Sequence, residues 1–330
     1  MRLGERAGLT PSKIQLRDAF GEALLAVARE NPKVVVLDGD LGNSTRADTV
    51  REEFPERYYN MGIAESNLVG VSAGFAAAGY IPFISSFPSF LLCNAYDQIR
   101  MMISIPGQNA KLVGSHAGVS TNREGPPPMS VEDFALVGGL PSFVILVPCD
   151  AASMHRAVHA AAAHVGPVYL RSSRGAFPQV YSHSLTATEE SCPFEIGQAN
   201  RLRQGNDVTL IGCGMMVAVV LDAAAILAEE GIQARVLDMH TVKPVDAAAI
   251  TAAARETGAI VTAEEHLVRG GLGSAVAQVV VQECPVPMRF IGFQDTYAES
   301  GTVEELMEKY GLTAEHVASA AREAVTAKHG

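Results

Sequence analysis

Five stretches of this chain combine residue types and spacings that chemistry can use. Gly62-Ile63-Ala64-Glu65-Ser66-Asn67 sets one carboxylate at the head of a small, apolar segment. A carboxyl in such a setting suits proton transfer, although a helix dipole favours a first-turn acid without any catalytic role. Phe87-Pro88-Ser89-Phe90 spaces two aromatics three apart, a wall for a flat ring or ordinary core. Ser115-His116-Ala117-Gly118 ends an apolar run with an imidazole, either a ligand for substrate or a hydrogen-bonded structural residue. It leads into Asn122-Arg123-Glu124-Gly125-Pro126-Pro127-Pro128, whose prolines make it cheap to order, as a substrate rim or as a stiff connector. Arg171-Ser172-Ser173-Arg174 carries two guanidiniums able to grip a phosphate bidentately or to sit as solvated ion pairs.

Two further patterns imitate known sites and fail on detail. Gly212-Cys213-Gly214 after an apolar run resembles a dinucleotide fingerprint, but Val217 stands where its third glycine belongs. His155 and His159 are spaced as zinc ligands on a helix, with no Glu near them in sequence and no third ligand. No metal ligand is assigned to this chain.

The elements that must position these residues alternate between strand and helix. Leu16, Phe20, Leu24, Leu25 and Ala28 recur at helical spacing within 12–30, and Val34-Val35-Val36-Leu37 reads as a buried parallel strand. Helix is expected over 64–78, 96–105, 131–140 and 151–164, and strand over 81–85, 111–115, 143–147 and 168–171. The polar, proline-bounded stretch near 177–193 breaks the rhythm, which restarts with a strand at 208–211. The fold class is therefore α/β, two doubly wound domains with mainly parallel sheets, the second smaller. The boundaries are 1–180, a linker at 181–193, and 194–330. Ligands of such sheets sit beyond the carboxyl ends of the strands, where the loops after Asp38, Ser85, Ser115 and Arg171 lie.

Composition narrows the partners. The chain has 330 residues, a net charge of −11 and no basic tract, which argues against nucleic acid and anionic membrane. Five widely spaced cysteines without a C-x-x-C argue against a disulfide framework and fit a reducing cytoplasm. The first residues hold no signal-like apolar stretch, and the longest apolar run, 210–221, is too short to span a bilayer.

In order along the chain, several stretches resemble the C-terminal half of transketolase, its pyrimidine-binding domain followed by its C-terminal domain. They are Leu37-Asp38-Gly39-Asp40 with Asn43-Ser44-Thr45, Gly62-Ile63-Ala64-Glu65, Ser86-Phe87 with Phe90, and Tyr96 to Arg100. Gly114 to Ser120, Glu132-Asp133, Arg171 to Arg174, Val236-Leu237-Asp238 with Lys243-Pro244, and Glu264-Glu265-His266 with Gly270 to Gly273 complete the match. It runs from about Ser12 to the C-terminus. The family's diphosphate- and metal-binding domain has no counterpart here. The resemblance thus implies the β-type subunit of a split-gene transketolase, which depends on thiamine diphosphate and moves a two-carbon ketol unit from a ketose to an aldehyde. An N-terminal-half subunit would hold the diphosphate and Mg2+ (or Ca2+), in an α2β2 assembly.

Site roles follow from the same resemblance. Glu65 matches the glutamate on the aminopyrimidine nitrogen of the cofactor. Phe87 and Phe90 match the aromatic wall, Cys93 a third contact of some relatives, and Asp40 an acid near the thiazolium. His116 matches a histidine on a substrate hydroxyl, while Arg17, Ser44 and Arg174 match the sugar-phosphate ligands, Arg171 being the weaker candidate. Glu124 replaces an aspartate that binds donor hydroxyls, Pro128 replaces a hydrogen-bonding residue, and Ser66 replaces a glutamine. Substrate recognition is therefore expected to differ from the family's ordinary sugars. A 1-deoxyxylulose-5-phosphate synthase-like or 2-oxo-acid dehydrogenase β-like subunit, and a non-catalytic scaffold, are the rival readings.

Overall fold

A computed structural model of the chain describes residues 2–182 and 187–328; the expected linker lies in part, at 183–186, outside the described residues. In chain order the first domain contributes α1 (Leu16–Glu30), β1 (Val34–Asp38), α2 (Gly42–Thr45), α3 (Thr49–Glu53), β2 (Tyr58–Asn60), α4 (Glu65–Ala77) and β3 (Ile81–Ser86). It continues with α5 (Pro88–Gln98), β4 (Lys111–Ser115), α6 (Asp133–Gly138), β5 (Val144–Leu146), α7 (Ala151–Ala163) and β6 (Val168–Ser172). The second domain holds β7 (Asn200–Arg203), β8 (Val208–Gly212), α8 (Met216–Glu229), β9 (Ala234–Asp238), β10 (Thr241–Lys243), α9 (Ala247–Thr257) and β11 (Ile260–Leu267). It ends with α10 (Leu272–Glu283), β12 (Met288–Phe293), α11 (Val303–Lys309) and α12 (Ala314–Ala327).

The sheets run β10-β5-β6-β4-β3-β1-β2 and β12-β11-β8-β9-β7. Every residue of β1, β3, β4 and β6 is buried, as expected of parallel strands covered on both faces. Helix α1 buries Leu16, Phe20, Ala23, Leu24 and Val27 along one face and packs on α7. The Asp150 carboxylate caps α7 by accepting from Ser153 N at 2.8 Å, and Ser153 Oγ accepts from Asp150 N in return.

Several elements differ from the sequence reading. The helix expected at 96–105 begins at Pro88, because proline fits the first helical position, and it passes into a π-helical turn over Ile99–Ser104. The 117–128 loop contains a 3-10 stretch, Gly118–Glu124. Strands β2, β7 and β10 were not expected: each is three or four residues long, without an apolar run. Strand β10 follows the linker, yet pairs antiparallel with β5 of the first sheet. The leader crosses the other way, with Gly4 N and Ala7 N donating to Asp222 on α8 at 2.7 and 2.8 Å.

Candidate active site

Strand order sets the candidate residues in a row. Strands β6, β4, β3, β1 and β2 are neighbours and all parallel, so their carboxyl ends open on one edge. Arg174 follows β6, His116 follows β4, Phe87 follows β3, Asp40 follows β1, and the segment after β2 leads to Glu65.

Glu65 is the first residue of α4 and only 6% exposed. Its one hydrogen bond among the described residues comes from Asn94 Nδ2, 3.4 Å from Oε2. Ser66 Oγ donates to the Asn94 carbonyl at 2.8 Å, so the residue that departs from the family pattern helps to tie α4 to α5. Asp40 sits in the left-handed region at φ 64° and accepts from Asn60 Nδ2 at 2.8 Å. The turn beneath it is organised by Asp38, whose buried carboxylate accepts from Leu41 N, Gly42 N and Tyr58 Oη. Burial pushes the Asp38 carboxyl up, against the pull of those three donors.

Phe87 and Phe90 stack with centroids 5.7 Å apart, and Phe87 stacks on His116 at 4.5 Å. His116, also left-handed at φ 65°, is buried, with Ser115 Oγ 2.9 Å from Nδ1. Burial, then the charges of Arg174 and Arg17, push its pKa down to about 3, so the imidazole is neutral at physiological pH. Burial, then the charges of Arg46 and Arg174, lower the Arg17 pKa. Arg17 Nη1 donates to the Ser44 carbonyl at 3.2 Å. Arg174 Nη1 pairs with Glu124 at 3.2 Å on the exposed side. Arg17, Ser44, Arg174, His116 and Glu124 thus form one cationic corner.

Three further patterns of the sequence find these places in the structure. Arg171 is not in that corner. It is buried, with Nε 2.8 Å from Asp133, and with Nη1 and Nη2 on the carboxylate and main-chain oxygen of Glu265 at 3.3 and 2.8 Å. The Gly212-Cys213-Gly214 turn is filled by the first domain: Gly214 N donates to the Val147 carbonyl, and a Cβ on Gly214 would lie 3.1 Å from the Val147 side chain. His155 and His159 do have a carboxylate nearby in space, Glu30, at 3.8 Å from His159. Cys93 is exposed on α5, where partial burial and then Glu132 push its thiol up. Sequence reasoning missed Asn60 and Asn94, which hold Asp40 and Glu65. Asn60 stands two residues before the Gly62-Ile63-Ala64-Glu65 stretch, the one cue available.

Two α/β domains of this topology, with a carboxylate, an aromatic wall and a pair of arginines along one sheet edge, are the architecture that the sequence resemblance implies. Residues 12–179 match the model of the transketolase pyrimidine-binding domain, and residues 197–317 that of the transketolase C-terminal domain. The chain belongs to the transketolase family. It is 40% identical to a 6-deoxy-6-sulfo-D-fructose transketolase subunit of Clostridium sp. (strain MSTE9), over 95% of each chain. It is 36% identical to an apulose-4-phosphate transketolase subunit of Phocaeicola vulgatus, over 94% of this chain and 98% of that one. A solved split-gene transketolase, described as an inactive β4 tetramer, superposes with a TM-score of 0.87 at 45% identity, covering 96% of this chain and 99% of that one.

Proposed function

We propose that this chain is the pyrimidine-side, β-type subunit of a split transketolase. With an N-terminal-half partner it moves a two-carbon ketol unit from an anionic ketose to an aldehyde. The observation that carries the reading is the row Glu65, Phe87, His116, Arg174, closed at its cationic end by Arg17 and Ser44.

The donor set fits thiamine diphosphate, on which the family depends. The Glu65 carboxylate has a single weak partner, Phe87 and Phe90 offer a flat wall, and the buried hydroxyls of Ser86 and Ser89 beside that wall lack partners among the described residues. When bound, the cofactor supplies the nucleophilic carbon and the electron sink. Glu65 would hydrogen-bond the aminopyrimidine ring in position for proton transfer, and the phenyl rings would shield that ring from water, with Cys93 as a further contact. Asp40, steadied by Asn60, would meet the thiazolium end of the cofactor. His116, neutral and oriented by Ser115, hydrogen-bonds a substrate hydroxyl. Arg17, Arg174 and Ser44 hold the anionic end, and Glu124 meets donor hydroxyls. Mg2+ (or Ca2+) and the diphosphate belong to the partner.

An incomplete surface supports the partner. Ile63, two residues from Glu65, is 81% exposed, and Met101, Met102 and Ile105 are also uncovered. Helix α4 is apolar on nearly all sides, as expected of a helix covered in an assembly. An α2β2 complex with two copies of this chain about a two-fold axis would cover them. The relatives named above act on a sulfonated and a phosphorylated sugar, and this chain departs from the family pattern at Glu124 and Pro128. Both points favour a less ordinary donor than xylulose 5-phosphate.

The test is to purify the chain with its co-expressed N-terminal-half subunit, measure bound thiamine diphosphate, and screen donors. The panel is xylulose 5-phosphate, 6-deoxy-6-sulfofructose, apulose 4-phosphate and pyruvate, with aldehyde acceptors. Cofactor-dependent transfer that is lost in Glu65→Ala is the expected result. Efficient turnover of xylulose 5-phosphate with ribose 5-phosphate would refute the altered specificity. Decarboxylation of pyruvate would favour the rival enzymes, and a complex without cofactor or turnover would favour a scaffold.

A further inference from the structure

We infer that Glu265, in the second domain, is a positioning residue for the substrate side of the site: its carboxylate fixes the two loops that carry His116 and Arg174. The inference deepens the transketolase reading and rests on it.

Three contacts converge on this one side chain from β11. Glu265 Oε1 accepts from Ser120 N at 3.1 Å, on the loop after β4. Its Oε2 accepts from Ser173 Oγ at 3.4 Å, on the loop after β6. Arg171 holds the carboxylate from below, itself anchored by Asp133 at 2.8 Å. Ser120 then passes the restraint on. Its hydroxyl accepts from Arg174 N at 3.0 Å and donates to the Ala117 carbonyl at 2.6 Å, next to His116. The fit is close. Gly118 has φ +58°, and a Cβ there would lie 2.5 Å from the Glu265 carboxylate.

The loop needs such a brace. His116 and Asn122 are non-glycine residues held at φ 65° and 69°, a conformation that persists only where the surroundings over-determine it. The second domain meets the same segment again at Ser300, whose Oγ donates to the Arg123 carbonyl at 2.5 Å. By contrast, the hydrogen bonds of Glu65 and Asp40 come from Asn94 and Asn60 of the first domain. Among the described residues, the second domain therefore hydrogen-bonds to the loops of the substrate side and not to the Glu65 or Asp40 side chains.

Two substitutions attack the contact from opposite sides. Glu265→Gln weakens the acceptor. Gly118→Ala pushes the loop off the carboxylate, by its positive φ as well as by its Cβ, while leaving Arg171, Asp133 and Glu265 in place, and it tests the role of the loop if the first variant does not fold. Hydrogen exchange of the full chain should quicken by about tenfold or more over residues 116–124 in either variant, with α4 unchanged. In the complex with the N-terminal-half subunit, the KM for the best donor of the panel should rise by about tenfold, with kcat within about threefold and thiamine diphosphate affinity unchanged. The double variant should resemble the singles, because both break one contact. Unchanged loop exchange, additive effects, or loss of cofactor affinity with KM unmoved would overturn the inference. Faster loop exchange with an unchanged KM would overturn the substrate role of the loop, and the inference with it.

Discussion

Arg171→Met and Arg174→Met remove guanidiniums three residues apart, and they should register in different measurements. The Arg171 side chain is 2% exposed, and its two carboxylate partners, Asp133 and Glu265, are 0% and 2% exposed. Methionine keeps the apolar stem near the Phe134 ring but leaves both carboxylates without their cation. Removing one partner from such a buried group costs about 3–5 kcal/mol. With an unfolding entropy of about 2.1 cal/mol/K per residue, a chain of 330 residues melting as a unit loses about 4–7 °C in Tm. The deficit should depend on pH with a definite sign. Burial raises the Glu265 carboxyl, and Arg171 opposes that rise. Without Arg171 it rises further. An acid raised in the folded state favours folding at low pH, and this advantage is lost as pH climbs through its folded value. The Arg171→Met deficit should therefore shrink between pH 7 and pH 5. Arg174 pairs with exposed Glu124, a contact worth about 0–1 kcal/mol, so Arg174→Met should melt near wild type and instead raise the KM for an anionic donor. Melts at both pH values, with steady-state kinetics of the complex, check both arms. An Arg171→Met chain as stable as wild type, with the kinetic defect of Arg174→Met, would refute this division of roles.

Glu65→Gln should cut turnover by about 10²–10⁴-fold with little change in melting, since the side chain makes one long hydrogen bond; kinetics and a melt of the same preparation test this. His116→Asn should raise KM and leave the pH–rate profile without a new feature between pH 5 and 8, because the wild-type imidazole, at about 3, does not titrate there. A limb near pH 6.5 present in wild type and absent in the variant would contradict it. Asp238, raised to about 7 by burial, should make the chain lose stability as pH rises from about 4 to 7, and Asp238→Asn should flatten that decline in urea titrations.

Much of the fold was legible because burial on both faces forces continuous apolar runs, and those of β1 and β3 stand out in the sequence. The short strands left no such mark. Strand β10 is three residues whose pairing with β5 depends on where the second domain docks. Glu65, Phe87 and His116 stood out as candidates from type and local setting, each with a structural reading beside the functional one, and the family resemblance joined them. Arg171 and Arg174 looked alike in sequence. What separates them is whether the Asp133 and Glu265 carboxylates, far apart in the chain, reach one guanidinium and not the other. Asn94 left no mark for the same reason, and Asn60 only its place two residues before Gly62: each acts through a tertiary hydrogen bond.

The two ends of the candidate site hang on different supports, and this bears on which parts of it can change. Asp40 is fixed by Asn60 and the Asp38 turn, and Glu65 by Asn94, all within the first domain's own elements. His116 and Arg174 are fixed through Ser120 and Ser173 by the second domain. A substitution in the loop at Glu124 or Pro126-Pro127-Pro128 can therefore alter what the cationic corner accepts while leaving Glu65 and the aromatic wall undisturbed. The reverse does not hold for Phe87, which stacks on both Phe90 and His116 and joins the two halves. Of the residues in the row, Phe87 is thus the one whose replacement by alanine should weaken cofactor retention and raise the donor KM together. Titration of thiamine diphosphate into the complex, alongside donor kinetics, would separate that coupled loss from the single losses expected at Glu65 and Arg174.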